Sequence, residues 1–233
     1  MSKQYLYKVS LLNKNNKHPL DAISYYCGEK QFDLNNAKTY LSTSEDKVLW
    51  NNIVLPSKDS ELYSHLPEFL KFKSLKKELL SNARNILWQN VFLREKRHDA
   101  QYARVFELPM PSFLSNDSCI SILTKFAQYL SSEGMIVDVA LHSDSSQERF
   151  SIFNTFDNKN KDYYGFLICT LRTYKDGQFV NKNRDWNNIF NMKSWRQKWL
   201  NMLKEEINNT ETNENKNGWL DKINSFYQPQ NNI

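Results

Sequence analysis

The chain reads as an α+β protein with an antiparallel central sheet and helices packed mainly on one face. Three observations predict this. Runs of β-branched and aromatic residues stand far apart, at YLYKVSLL (5–12), VFELPM (105–110), MIVDVALH (135–142) and KDYYGFLICTLRT (161–173). Between them, apolar residues recur at helical spacing. The 233 residues are 40% hydrophobic, with 14 Phe, 12 Tyr and 6 Trp, which is ample material for a packed core and excludes a wholly disordered chain.

The elements follow in order. YLYKVSLL is an N-terminal strand, broken by NKNNKHP (13–19). LDAISYYCGEK (20–30) is a short helix or turn with Asp21 as a possible cap. Residues 31–57 are polar and irregular, with Pro56 interrupting them. From Ser60 to Arg104, the spacing of Leu62, Leu66, Leu70, Leu75, Leu79, Ile86, Leu87 and Val91 predicts two or three helices, with a kink or fresh start at Pro67. VFELPM, bounded by Pro109 and Pro111, is a strand. Asn116 and Asp117 can cap a helix that buries Ile120, Leu123, Phe126, Ala127 and Leu130 and ends near Gly134. MIVDVALH is a strand, NTFDNKNKDYY (154–164) a flexible connector, and the strand at 165–173 leads to a KDG turn (175–177). WRQKWLNMLKEEIN (195–208) is an amphipathic helix. These elements predict one domain over 1–207, followed by a polar linker and loose tail over 208–233.

A formal charge of +5 permits a nucleic-acid partner without requiring one. Cys27, Cys119 and Cys169 are odd in number and too far apart for a zinc motif, which fits a reduced, cytoplasmic setting. The first residues show no signal-peptide core, and no run approaches the roughly 18 apolar residues that span a bilayer.

Five stretches carry more specific information. They are AISYYCGE (22–29), LWQNV (87–91) running into EKRHDAQYARVFELPMP (95–111), GMIVDVALH (134–142), RDWNN (184–188) and SWRQKWLNML (194–203). In that order and spacing they resemble the MobA/MobL-type plasmid mobilisation relaxases of the HUH endonuclease superfamily. The family forms are A-x-A-Y-R-x-G, L-W-N-x-V, E-K-R-x-D-A-x-x-A-R-E-x-E-x-A-L-P and G-M-x-x-D-x-A-x-H, followed by a Trp-rich region. The resemblance covers about residues 5 to 205.

The resemblance implies a protein that cuts one strand of DNA at a transfer origin. A tyrosine attacks the phosphate, and a divalent ion (Mg or Mn) held by three histidines assists. A phenol has a pKa of about 10 and needs such help to attack. Tyr25 falls on the nucleophile position, with Tyr26 one residue away, and His142 falls on one metal-ligand position. Glu107 keeps the second acid of A-R-E-x-E, while Val105 stands at the first. The paired histidines of N-P-H-x-H fall on Tyr164 and Phe166. The HUH motif is therefore degenerate, and the metal and the nicking it supports are expected to be weakened or lost.

Each residue also has a plainer reading. A Tyr-Tyr pair can be packing, and a histidine after a strand can be an ordinary surface residue. Asp138, Asp144, Asp162 or His98 can in principle complete a different metal site with His142. Arg172 at a strand end can meet a phosphate or sit in a salt bridge, and Trp186 can stack on a base. Trp195 and Trp199, at helical spacing, read as core, and REKR (94–97) as a solvated helix face. The expected partners are single-stranded DNA and mobilisation accessory proteins. A non-catalytic DNA-binding protein or decayed gene product on the same fold is the alternative, and a structural protein without nucleic-acid affinity is a third class. The chain is short beside relatives that carry further domains, which suggests a lone domain or a truncated copy.

Overall fold

The computed structural model describes residues 6–13, 18–41, 47–71, 77–144, 162–176, 178–211 and 215–226; the side chains of residues 47, 77, 144 and 162 lie outside that description. Strand β1 (Lys8–Asn13) precedes helix α1 (Pro19–Cys27). Pro19 opens α1, where a missing N–H is harmless, and Gly28 closes it in the left-handed region with φ 66°. Asp21 lies in the first turn, and His18, not Asp21, occupies the cap position. The stretch read as irregular holds three strands, β2 (Gln31–Asp33), β3 (Lys38–Tyr40) and β4 (Lys47–Val54). In β4 a register shift between Val48 and Trp50, next to Asn51 and Asn52, breaks the alternation that marks a strand.

Helices α2 (Glu61–Ser64), α3 (Glu68–Lys71) and α4 (Lys77–Arg94) follow, with α3 starting just after Pro67. Then come β5 (Gln101–Met110), α5 (Asn116–Ser132), β6 (Val137–Asp144), β7 (Asp162–Thr170), β8 (Arg172–Lys175) and β9 (Gln178–Lys182). The cap of α5 is Ser115, whose hydroxyl accepts from the Ser118 N–H. A 3-10 turn (Arg184–Asn187), α6 (Ile189–Asn209) and α7 (Lys216–Ser225) are the last of the described elements.

Five strands form one antiparallel sheet in the order β1-β5-β7-β6-β4. Strands at the places expected near 5–12, 105–110, 136–142 and 165–173 lie in it, except that the last ends at Thr170 and Arg172 and Thr173 belong to β8; β6 and β7 are neighbours, with His142 opposite Tyr164 and Ala140 opposite Phe166. The hairpins β2-β3 and β8-β9 stand apart from this sheet.

Helices cover both sides of the sheet, not mainly one. On one face Phe106, Leu108, Val139, Leu141 and Leu167 pack with α5, α6 and α7. On the other, Ile53, Val105, Tyr164, Phe166 and Ile168 pack with α1, α3 and α4. Both faces of β5 and β7 are therefore buried, which is why these strands read as continuous apolar runs. Gly165 admits α5 to the sheet: a Cβ there would lie 2.2 Å from Leu123 Cδ2.

The expected loose tail is ordered over much of its length. Trp219 and Ile223, one turn apart on α7, are buried against α6. Lys216 Nζ donates to the carbonyls of Asn208 and Thr210 at the end of α6, and Lys204 Nζ to Asn224 Oδ1. Leu220 and Phe226 pack beside them, partly buried, and the polar residues between hid that signal.

Candidate functional site

The site is built around the end of α1. Its final carbonyls have no partner within the helix. Gly28 N–H reaches Ser24 O, Asn51 Nδ2 donates to Cys27 O at 2.9 Å, and His142 Nε2 lies 2.6 Å from Tyr26 O. Gly28 is required twice over, by its positive φ and because a Cβ would stand 2.7 Å from Val48 Cγ2. Val48 is itself the register partner of His142.

Beneath the helix end lies a buried polar cluster. Arg84 of α4, fully buried, directs Nε at both carboxylate oxygens of Asp138 (3.1 and 2.9 Å), Nη1 at Glu29 and Nη2 at Asn51 Oδ1 (3.1 Å). Trp88 Nε1 donates to the same Asp138 at 2.9 Å. Burial works against the Arg84 charge, but Asp138 foremost among its neighbours outweighs it, and the guanidinium is held firmly protonated. Four elements, α1, β4, α4 and β6, are tied together here. The same burial pushes the Cys27 thiol up, so it is an inert packing group.

Above the cluster, four rings meet. Tyr25 is 5.9 Å from His142 and 6.4 Å from Phe166 between ring centroids, Tyr26 is 5.1 Å from Phe166, and His142 is 4.7 Å from Phe166. Tyr164 flanks His142 in register and is buried. Glu107, opposite Phe166 across β5-β7, lies on the same face and pairs with Lys8 at 2.8 Å. Val105, also on this face, is buried in the core. Tyr25, His142, Glu107, Tyr164 and Phe166 thus share one face.

Two expected site residues stand elsewhere. Arg172 lies at the opposite end of β7 from Tyr164, where its Nε meets Glu95 Oε1 at 2.6 Å and Nη1 donates to Val180 O. Lys182 shares Glu95, so this charge cluster is an internal tie. Trp186 is 3% exposed and packs in the core on the other side of the sheet, so its ring presents no stacking surface. Its polar sequence neighbours suggested exposure, but the 3-10 turn directs it inward. Trp195 and Trp199 are core residues, as their spacing indicated.

The residues at hand do not fit a divalent ion held by three imidazoles. Phe166 has no donor atom, Tyr164 is a buried phenol, and a carbonyl faces His142 Nε2. Asp138 is engaged by Arg84 and Trp88, and His98 is exposed between α4 and β5. Asp144 and Asp162 pair in register at the end of the β6-β7 ladder, but their side chains lie outside the described residues. Among the described residues no group of three His, Cys, Asp or Glu side chains is close enough to bind a metal.

Sequence reasoning missed Arg84, Glu29 and Asn51. Arg84 carried one usable signal: it lies on the apolar face of α4 with Leu87, Trp88 and Val91, where an arginine calls for buried acids.

Comparison with known proteins bears on the fold and the family. Over 147 residues, 63% of this chain, it is 23% identical to the conjugal transfer protein TraA of Rhizobium radiobacter, and the match spans 12% of that protein's length. A solved structure described as "Molecular Basis of Vancomycin Resistance Transfer in Staphylococcus aureus" shares the fold, with a TM-score of 0.65 and 23% identity, covering 89% of this chain and 94% of that one. The MobA/MobL family profile matches residues 19–219. The chain belongs to the MobA/MobL family.

Proposed function

We propose that this protein is a relaxase-like protein of a plasmid or other mobile element that binds single-stranded transfer-origin DNA, with nicking through Tyr25 weakened or lost. The reading rests on the family and on one observation: the Phe166 ring sits 4.7 Å from His142, at the position that the motif resemblance assigns to a second imidazole. The family depends on a divalent ion, Mg or Mn, and these side chains do not supply its donors. Tyr25 stands beside His142 on the correct face, so binding can outlast chemistry. Glu107 and Lys8 border the same face. Neither Arg172 nor Trp186 enters the DNA-binding proposal, since one is tied to Glu95 and the other is core. We assign the protein to the cytoplasm, with mobilisation accessory proteins as partners; among the described residues no helix is long and apolar enough to cross a membrane.

The test incubates supercoiled origin plasmid with the protein and Mn²⁺ and scores open circles and a protein–DNA adduct, alongside oligonucleotide binding. The expected result is binding without Tyr25-dependent nicking. Robust nicking that Tyr25→Phe abolishes would overturn it.

A further inference from the structure

We infer that His142 no longer serves as a metal ligand but as the hydrogen-bond donor that latches the end of α1 to the sheet and so sets the position of Tyr25 and Tyr26. The inference about Tyr25 presentation rests on the proposed function; the latch itself does not.

A carbonyl oxygen can only accept. At 2.6 Å from Tyr26 O, His142 Nε2 must therefore carry the proton. A protonated ring nitrogen has no lone pair to give a metal, so Nε2 cannot both latch and ligate, and the other nitrogen, Nδ1, is buried away from solvent. The histidine is 2% exposed and its ring is wedged against Phe166, which holds it in this orientation. Tyr26 O is one of the carbonyls that α1 leaves open, at the negative end of the helix dipole, where an N–H donor is favoured. Asn51 treats the next carbonyl, that of Cys27, in the same way. Arg84 then grips Glu29 just beyond. Three side chains from β6, β4 and α4 thus fasten Tyr26, Cys27 and Glu29 around the helix end, and Phe166, packing on both tyrosine rings, fills the space between helix and sheet.

The test compares His142→Ala with His142→Gln, whose amide can still donate. It reads thermal unfolding with Mn²⁺ and with EDTA, near-UV ellipticity of the tyrosine cluster, binding of a labelled oligo-dT, and ¹⁵N shifts of the His142 imidazole. The expected wild-type result is an Nε2-protonated tautomer and a melting temperature indifferent to Mn²⁺ and EDTA. His142→Ala should lower the melting temperature, alter the ellipticity and weaken oligo-dT binding by about tenfold, the worth of one buried hydrogen bond. His142→Gln should restore all three. A Mn²⁺-induced rise that either substitution removes, an unprotonated Nε2, or a glutamine variant no better than alanine would each overturn the latch. If His142→Ala does not fold, the glutamine variant and the tautomer decide. If the wild type does not bind oligo-dT while the other readouts hold, the latch stands and the proposed function falls.

Discussion

On the face covered by α5, α6 and α7, the sheet meets Phe126, Trp195 and Trp199, with Phe106 and Phe126 in edge contact at 5.8 Å. On the face covered by α1 and α4, it meets the Arg84–Asp138–Glu29 cluster, Asn51 and His142. The first face is held by area and shape, and its largest charged group, Arg104, sits over the Trp195 ring at 5.1 Å with Asn187 as acceptor. The second is held by directed bonds that converge on the last turn of one short helix. Apolar packing sets area and shape, whereas charge-assisted and capping hydrogen bonds also fix direction. Directed bonds therefore hold the turn of α1 that carries Tyr25 and Tyr26, and bulk packing builds the platform on the other side.

The sharpest way to break this comparison is to remove one keystone from each face. Trp199→Ala deletes a fully buried indole whose N–H donates to Leu6 O, and should cost about 3–5 kcal/mol. Arg84→Met leaves the Asp138 carboxylate buried without its guanidinium, with Trp88 Nε1 still donating to it, and should cost about 3–5 kcal/mol as well. The two losses should differ in what repairs them. Adding Asp138→Leu to Arg84→Met should recover much of the loss, because the stranded charge is gone. Oligonucleotide binding should recover less than stability does, because the anchor of α1 is missing. Denaturant unfolding and binding, measured on the single and double variants, check this. Equal recovery of both would show that the cluster has no positioning role.

A second experiment runs the comparison in reverse, by returning ligand chemistry to the directed face. Tyr164→His with Phe166→His restores the imidazole pair beside His142, and Val105→Glu can restore the missing acid. Saturating Mn²⁺ should then stabilise the variant by up to about 2.7 kcal/mol at a hundredfold excess over its dissociation constant, while leaving the wild type unmoved. The gain should come with a looser α1, since His142 must release Tyr26 O before Nε2 can bind the ion. Thermal unfolding with and without Mn²⁺ reads the first effect, and hydrogen exchange over residues 24–28 the second.

The fold was largely legible because strands β1, β5, β6 and β7 carry dense β-branched and aromatic runs, and because the motifs fix their order. The pairing of Tyr25 with His142 followed from the same motifs. Strand β4 was not legible: an edge strand with two asparagines and a register shift has no alternation to detect. The clamp was hidden for a different reason. Arg84, Asn51 and Asp138 lie on three elements and Glu29 on the turn after α1, and no local pattern links groups that meet only after folding. Trp186 and Arg172 were misplaced by local context, since a polar neighbourhood in sequence says little about where a 3-10 turn or a strand end directs its side chain.

The smallest expected effect concerns the other end of α1, where His18 precedes the helix. Its ring stacks on Tyr40 at 4.5 Å and meets Phe92 at 4.9 Å, with Asp33 3.4 Å from Nε2. Burial pushes the His18 pKa below its ordinary value; Asp33 and Asp21 oppose this, and Lys38 adds to it. A folded-state pKa below the unfolded one means that the unfolded chain takes up its proton first as pH falls. The stabilisation is therefore present above the usual histidine value of about 6.5 and is lost as pH drops through the lower folded-state value. Asp33 acts in the same direction further down: burial raises its pKa, but hydrogen bonds from Asn36 and Asn35, with His18, bring it below normal. Wild-type stability should thus decline on acidification below about pH 6.5. His18→Gln, which cannot titrate, should flatten the upper part of that decline and leave the Asp33 part. Chemical denaturation across this pH range is the measurement. An unchanged slope in the glutamine variant would show that His18 takes no part, and the opposite slope would mean that Asp33 dominates and holds His18 charged.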